Sequence, residues 1–429
     1  MLDRLRCLAP EPAAPRANYA VQGRVPELVL QPQDREQAAA VLQAAQANRL
    51  AVIPWGGGTQ QDLGYPPERL EVVLDVRLLR RIMAYEPADL TVTVEAGCPL
   101  ADLQAVLAEH RQTLPLDPPR PEQATVGGLL ATNTHGPLRY GYGAWRDRLL
   151  GLRALRADGT LIRGGSRVVK NTAGLDLSKL FIGSLGTLGV LVEATFKLHP
   201  CPASERLLHL FLPSLAASEE VLSLLMGTPL LPTLIELRGS RSGERAAELF
   251  IGFAGPEETV AWEVEELRRA LAGQSGVEVA EAAPPSREAL RRELADFPAA
   301  TAPEAGRVSL RISLRSSDVA WFCQRLLEQA EGHGAVAAWQ SSAGNGLLHV
   351  HLDWPQAPDP EVQGSWIHQL ARAAAAARGH LIVMAAPPEL KPHLPVWGTP
   401  RDDFRLMRRV KEQMDPDRIL NPGRFVGRL

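Results

Sequence analysis

The reading of this chain turns on Leu50-Ala51-Val52-Ile53-Pro54 and the loop that follows, Trp55-Gly56-Gly57-Gly58-Thr59-Gln60. A short, unbroken apolar run is how a strand buried on both faces looks in sequence, and this one stops at three adjacent glycines. With no Cβ in the way, successive backbone N–H groups can converge on one point, so the loop suits a phosphate or pyrophosphate. The next residues, Gln61-Asp62-Leu63-Gly64-Tyr65-Pro66-Pro67, cannot open a helix. The fingerprint GxGxxG followed by a helix is therefore missing, and no GxxxxGK[ST] occurs. Alone, the triplet also reads as a simple tight turn.

Two later segments repeat the chemistry. Ala124-Thr125-Val126-Gly127-Gly128-Leu129-Leu130-Ala131-Thr132-Asn133-Thr134-His135-Gly136, followed by Arg139-Tyr140-Gly141, mixes small residues with hydroxyls and an amide. Gly183-Ser184-Leu185-Gly186-Thr187-Leu188-Gly189-Val190-Leu191 does so again. Small residues let the backbone approach a flat ligand closely, and three such loops are hard to explain as turns. They imply a ligand long enough to touch all of them.

Around these loops the first half reads as mixed α and β. Strands are expected at 25–29, 72–76 and 90–95, and Asp34 caps a helix with Gln37 at the capping-box position, placing Ala38, Val41, Leu42 and Ala45 on one face. Pro99 opens a helix carrying Leu100, Leu103, Val106 and Leu107. After Leu149 come two strands joined at Asp158-Gly159, a dipeptide whose turn places both residues at positive φ.

Near Pro200-Cys201-Pro202 the pattern changes. Strands at 207–212, 233–237, 247–253 and 277–280 alternate with helices at 218–226 and 257–271. After a helix at 286–294 and a Pro/Ala-rich link, strands at 308–314, 335–339, 347–352 and 381–384 with helices at 319–329 and 362–377 repeat that order. The order predicts two ferredoxin-like halves, each an antiparallel sheet with helices on one side. A last helix at 402–414 and Asn421-Pro422-Gly423-Arg424-Phe425 are expected to return to the first domain. The division is then a frayed leader over 1–24, a first domain over 25–202, a cap over 203–400 and a returning segment over 401–429.

Read as an ordered set, Gly56-Gly57-Gly58-Thr59, Thr125-Val126-Gly127-Gly128, Arg139-Tyr140-Gly141, Lys170-Asn171, Leu180-Phe181-Ile182-Gly183-Ser184, Gly186-Thr187-Leu188-Gly189-Val190 and Leu420-Asn421-Pro422-Gly423 resembles a known family. It is the FAD-binding domain of the vanillyl-alcohol-oxidase or PCMH type. Lys170-Asn171 and Asn421-Pro422-Gly423 resemble its glycolate oxidase and D-lactate dehydrogenase branch, and within it the E subunits of glycolate oxidase most closely.

The resemblance implies an α+β fold, a two-part FAD-binding domain with a ferredoxin-like antiparallel cap. It implies that Trp55, Gly56, Gly57, Gly58, Thr59 and Gln60 bind the FAD pyrophosphate, and that Thr125, Gly127, Gly128, Thr132, His135 and Gly136 line flavin and pyrophosphate with Tyr140 beside them. Gly189 and Val190 would meet the adenine end. Covalent attachment in the family uses a His in the first loop or a Cys in the second. Here stand Thr59 and Gln60, and 138–142 holds no Cys, so the FAD is expected to be non-covalent.

Implied partners are a catalytic flavoprotein subunit and an iron–sulfur subunit, with a small 2-hydroxy acid as substrate. Two roles stay open: a dehydrogenase in its own right, or an accessory flavoprotein that relays electrons. Lys170 is a catalytic candidate that would place a positive charge at the flavin N1–O2 edge; it also reads as a surface lysine in a turn. By the period-two rule the strand 347–352 places His349, His351 and Asp353 on the face opposite Leu348, Val350 and Leu352, as candidate metal ligands, with His349 also a candidate base. Catalytic relatives carry Gly-Asp-Gly-Asn ahead of such a His, whereas this chain reads Gly344-Asn345-Gly346-Leu347-Leu348-His349 and lacks the acid. A plain solvated face is the competing reading.

Composition narrows the rest. The 429 residues carry 46 basic against 49 acidic side chains, a formal net charge of -3, and no basic run, which argues against nucleic acid. Cys7, Cys98, Cys201 and Cys323 form no CxxC pair, so a disulfide framework, a thiolate zinc site and an iron–sulfur cluster are all disfavoured. No apolar run approaches the ~18 residues of a membrane span. A cytoplasmic protein is expected, at the inner membrane only through a complex.

Overall fold

The computed structural model describes residues 2–165, 176–239, 247–299, 306–356, 358–399 and 402–429. β1 (Leu28–Leu30), β2 (Val52–Trp55) and β3 (Val72–Asp75) form a parallel sheet in the order β1-β3-β2. Its strands are almost wholly buried, as parallel strands covered on both faces must be. The helix Arg35–Ala47 lies against them through Ala38, Val41, Leu42 and Ala45. Asp34 caps it by accepting the Gln37 N–H at 2.7 Å, while the Gln37 side chain accepts from the Gln33 N–H.

β4 (Ile82–Glu86), β5 (Thr91–Glu95), the short β6 (Gln112–Thr113), β7 (Leu149–Leu155), β8 (Leu161–Gly165), β9 (Val190–Lys197) and the short β10 (His199–Pro200) complete the first half. Five of them form an antiparallel sheet in the order β4-β5-β9-β7-β8, and β6 pairs with β10. Between β7 and β8 Gly159 has a positive φ of 74° and Asp158 does not, so the connection is a wider turn than the dipeptide predicts.

β11 (Ser204–Leu212), β12 (Leu234–Gly239), β13 (Ala247–Gly255), β14 (Glu278–Glu281), β15 (Val308–Ser313), β16 (Val336–Ser342), β17 (Leu347–Asp353) and β18 (His380–Ala385) make one antiparallel sheet, ordered β14-β11-β13-β12-β16-β17-β15-β18. Each half follows strand, helix, strand, strand, helix, strand, and the halves meet where Glu236, Leu237 and Arg238 on β12 pair with Ser342, Ser341 and Gln340 on β16. Leu210, Ile251, Leu348 and Val350 pack with Val264, Phe322, Leu326 and Leu370 of the covering helices in one core. The opposite face carries Glu236, Gln340, Ser342, His349 and Arg311 in register, and the helix Ser286–Asp296 touches it where the Leu294 carbonyl accepts from Gln340.

Residues 2–24 do not fray as expected. Leu5 is fully buried with Val41 and Leu42, and the Tyr19 hydroxyl lies 3.0 Å from the Asp75 carboxylate. The last segment contacts the first half: Val52 N–H donates to the Ile419 carbonyl at 2.7 Å, and Lys411 reaches the carbonyls of Thr187 and Leu420, each at 2.9 Å. No helix among the described residues is long and apolar enough to cross a membrane.

Candidate cofactor cleft and interdomain recess

A cleft opens where β2 ends. It collects Trp55, Gly56, Gly57, Gly58, Thr59, Gln60, Thr125, Gly127, Gly128, Thr132, Gly189 and Val190, so three distant glycine-rich segments share one space. Leu185 and Gly186 join them, as do Gln61, Asn421 and Arg424, which the sequence reading did not place at the site. The signal was present, since Asn421 and Arg424 belong to the Asn-Pro-Gly-Arg string, but no rule of spacing connects them to a loop more than 350 residues earlier.

Gly57 has a different reason to be glycine from the one its loop suggests. A Cβ there would lie 1.8 Å from the Gln123 carbonyl oxygen, so protein backbone forbids it before any ligand does. The glycine triplet is thus pressed onto the Gln123–Thr125 segment, which brings the first two loops together. The Gln60 Oε1 and Arg424 Nε atoms are buried without a hydrogen-bond partner. A long cleft walled by small residues, with polar side-chain atoms left over, fits a dinucleotide.

His135, Gly136 and Tyr140 lie beside the cleft and do not line it. Gly136 is packed on Asp117, and Tyr140 lies on Gly344 in the short turn between β16 and β17. His135 Nε2 is 2.9 Å from Asn133 Oδ1, and its Nδ1 is buried and unpartnered. Burial, then Arg139 and Arg311, push its pKa down to about 3.

These neighbours mark a second feature. Arg139 comes from the short helix that follows the second loop, whereas Arg311 (β15) and His349 (β17) are direct cross-strand partners on the polar face. Burial and then Arg139 lower the Arg311 pKa to about 10, and burial, Arg311, His351 and Arg139 hold His349 down to about 3. Arg139 is lowered by burial. Among the described residues neither guanidinium, nor the His349 ring, has a hydrogen bond or ion pair. Two half-buried cations and a neutral imidazole from the two domains therefore act on one another, and Asp147, which acts on Arg139 from beyond ion-pair distance, offsets the positive charge only in part, a setting that favours an anion.

The face is thus partly covered and not simply solvated, and His349, His351 and Asp353 do not form a metal triad. Both His351 nitrogens are engaged, with Ser309 Oγ and the Phe297 carbonyl at 2.8 Å each, and Asp353 pairs with Arg307 at 2.7 Å. No group of three or more potential ligands converges among the described residues. Farther along the sheet Glu236 accepts hydrogen bonds from Gln340 and Ser342, and burial raises its pKa to about 8. Lys170 lies outside the described residues.

Two family models match the chain. Residues 26–165 match the FAD binding domain, and residues 215–385 with 390–425 match the C-terminal domain of FAD linked oxidases. The chain belongs to the FAD-linked oxidase family. Its cofactor is FAD, and its fold is the PCMH-type FAD-binding fold with a large antiparallel sheet in the C-terminal half. This FAD-linked oxidase is 25% identical to glycolate oxidase subunit GlcD of Bacillus subtilis, over 94% of this chain and 90% of that one. It is 40% identical to glycolate oxidase subunit GlcE of Escherichia coli, over 36% of this chain and 44% of GlcE. Likeness to the E subunit is therefore confined to part of the molecule. In three dimensions p-cresol methylhydroxylase superposes with a TM-score of 0.76 at 16% identity, covering 99% of this chain and 95% of that one.

Proposed function

We propose that this FAD-linked oxidase oxidises a small 2-hydroxy acid to the 2-oxo acid, with Arg139 and Arg311 holding the substrate carboxylate. The observation that carries the reading is the group Arg139, Arg311 and His349, contributed by both domains, whose positive charge Asp147 offsets only in part. FAD, held non-covalently, supplies the acceptor for the hydride that leaves C2. In support of non-covalent binding, none of the described residues lining the cleft is His, Cys or Tyr.

The chain's own residues would do the rest. A carboxylate between two guanidiniums makes charge-assisted hydrogen bonds and fixes C2 and its hydroxyl in one orientation. His349, kept neutral by its surroundings, accepts the hydroxyl proton at a ring nitrogen. The arriving carboxylate cancels the positive potential of the arginines, which raises the proton affinity of the imidazole at the moment it is needed.

Relatedness to two glycolate oxidase subunits supports a place in a multi-subunit complex, with a second flavoprotein subunit and an iron–sulfur subunit as partners. A second role, as an accessory flavoprotein that relays electrons, is favoured by Asn345 standing where the relatives' acidic residue is expected ahead of His349. Anaerobic addition of glycolate and of D-lactate to the purified flavoprotein decides between them: bleaching of the flavin absorption supports oxidation by this chain, and an unchanged spectrum with both acids rejects it.

A further inference from the structure

The four consecutive carbonyls that follow the glycine loop are held by two buried cations from elsewhere in the chain. Arg424, 1% exposed, donates from Nη2 to the carbonyls of Gln61 at 2.6 Å and Leu63 at 2.9 Å, and from Nη1 to Gln61 Oε1 at 3.0 Å and Asn421 Oδ1 at 3.3 Å. Lys391, fully buried, donates to the carbonyls of Asp62 and, at 2.8 Å, Gly64. Among the described residues neither has a carboxylate within ion-pair distance. Asp62 influences both from farther away, and burial pushes its own pKa up.

Burying Arg424 and Lys391 on neutral oxygens, with Asp62 acting only from beyond ion-pair distance, leaves an excess of positive charge in a low-dielectric setting, which an anion in the adjoining cleft would relieve. Arg424 also lines the cofactor cleft, with its Nε buried and unpartnered. Residues 61–64 lie in no helix or strand, so these donors, with the Gln22 side-chain amide that also reaches the Gln61 and Asp62 carbonyls, hold the far end of the cofactor loop in shape. The Asn-Pro-Gly turn delivers Arg424 here because Asn421 is itself anchored, through Nδ2 on the Leu185 carbonyl at 2.5 Å and its N–H on the Val52 carbonyl at 3.0 Å.

We propose that Arg424 is an FAD-binding residue delivered by the C-terminal segment: its guanidinium grips the Gln61–Leu63 backbone and takes the FAD diphosphate as its counter-ion. Lys391 is the positioning residue that holds the adjoining carbonyls.

The test is FAD titration of the flavin-free, full-length protein, followed by flavin fluorescence quenching at low and high salt. No substrate is involved, so the outcome is independent of the 2-hydroxy-acid reading. Arg424→Met should bind FAD at least about tenfold more weakly and lose most of the salt dependence seen in the wild type. Arg424→Lys should keep the salt dependence but bind several-fold more weakly, since an ammonium cannot replace the planar fork. Lys391→Met should bind more weakly with an unchanged salt dependence. Wild-type affinity and salt dependence in Arg424→Met overturn the proposal. If that variant does not fold, wild-type affinity in Arg424→Lys overturns it equally.

Discussion

Replacing Arg311 by methionine should make the protein more stable and a worse catalyst at once. Burial lowers the Arg311 pKa from 12.5 to about 10, so the folded protein opposes the charged form. Below about pH 10 the group is charged in both folded and unfolded states, and the penalty is present in full; it is relieved only as pH rises through the folded value. Each pKa unit is worth ~1.4 kcal/mol, but Arg311 retains some accessible surface, so water in the recess reduces the figure to about 1–3 kcal/mol. Methionine has comparable reach and no charge.

At pH 7 the melting temperature of the FAD-loaded, substrate-free variant should rise by a few degrees in a thermal scan. The same change removes a charge-assisted bond of ~1.5–3 kcal/mol to the substrate carboxylate, so the substrate concentration for half-maximal flavin reduction should rise about 10- to 100-fold in anaerobic stopped-flow with glycolate or D-lactate. A lower melting temperature together with an unchanged concentration dependence would refute the reasoning, because Arg311 would then be a structural cation with a partner in the folded state.

Gly57→Ala places a Cβ 1.8 Å from the Gln123 carbonyl oxygen and should strip FAD from the purified protein; a wild-type ratio of flavin to protein absorbance would contradict that. His351→Ala removes bonds to Ser309 and to the Phe297 carbonyl and should cost about 1–3 kcal/mol in denaturant unfolding, with zinc and manganese content the same as in the wild type. Because the folded pKa of Glu236 is raised to about 8, the stability linked to its bound proton is complete below about pH 4.5 and is lost as pH rises toward 8. Glu236→Gln should therefore flatten the fall in melting temperature across that window, and a pH profile parallel to the wild type would count against a buried, protonated carboxyl.

Much of this protein could be read without coordinates. The apolar run ending at Gly56, the alternation on β17 and the twice-repeated order of strands and helices after residue 203 are local patterns, and local patterns report which faces are buried. They sufficed for the class of fold and for three loops that the structure gathers in one cleft. Even the pairing of His349 and His351 on the face away from Leu348 and Val350 followed from periodicity alone. What covers that face did not: alternation separates two sides of a strand without saying whether the polar side meets water or another domain. Tertiary structure decided that it meets the second loop, bringing Arg139 to Arg311 across 172 positions of chain, while His351 and Asp353 are taken up by Ser309, Phe297 and Arg307. It also carried Arg424 back to Gln61 and pressed Gly57, which lines the cleft, onto the backbone of Gln123. Periodicity acts over a few residues, whereas desolvation and charge act over whatever the fold places nearby, so the electrostatics of the site exist only once the chain has closed on itself.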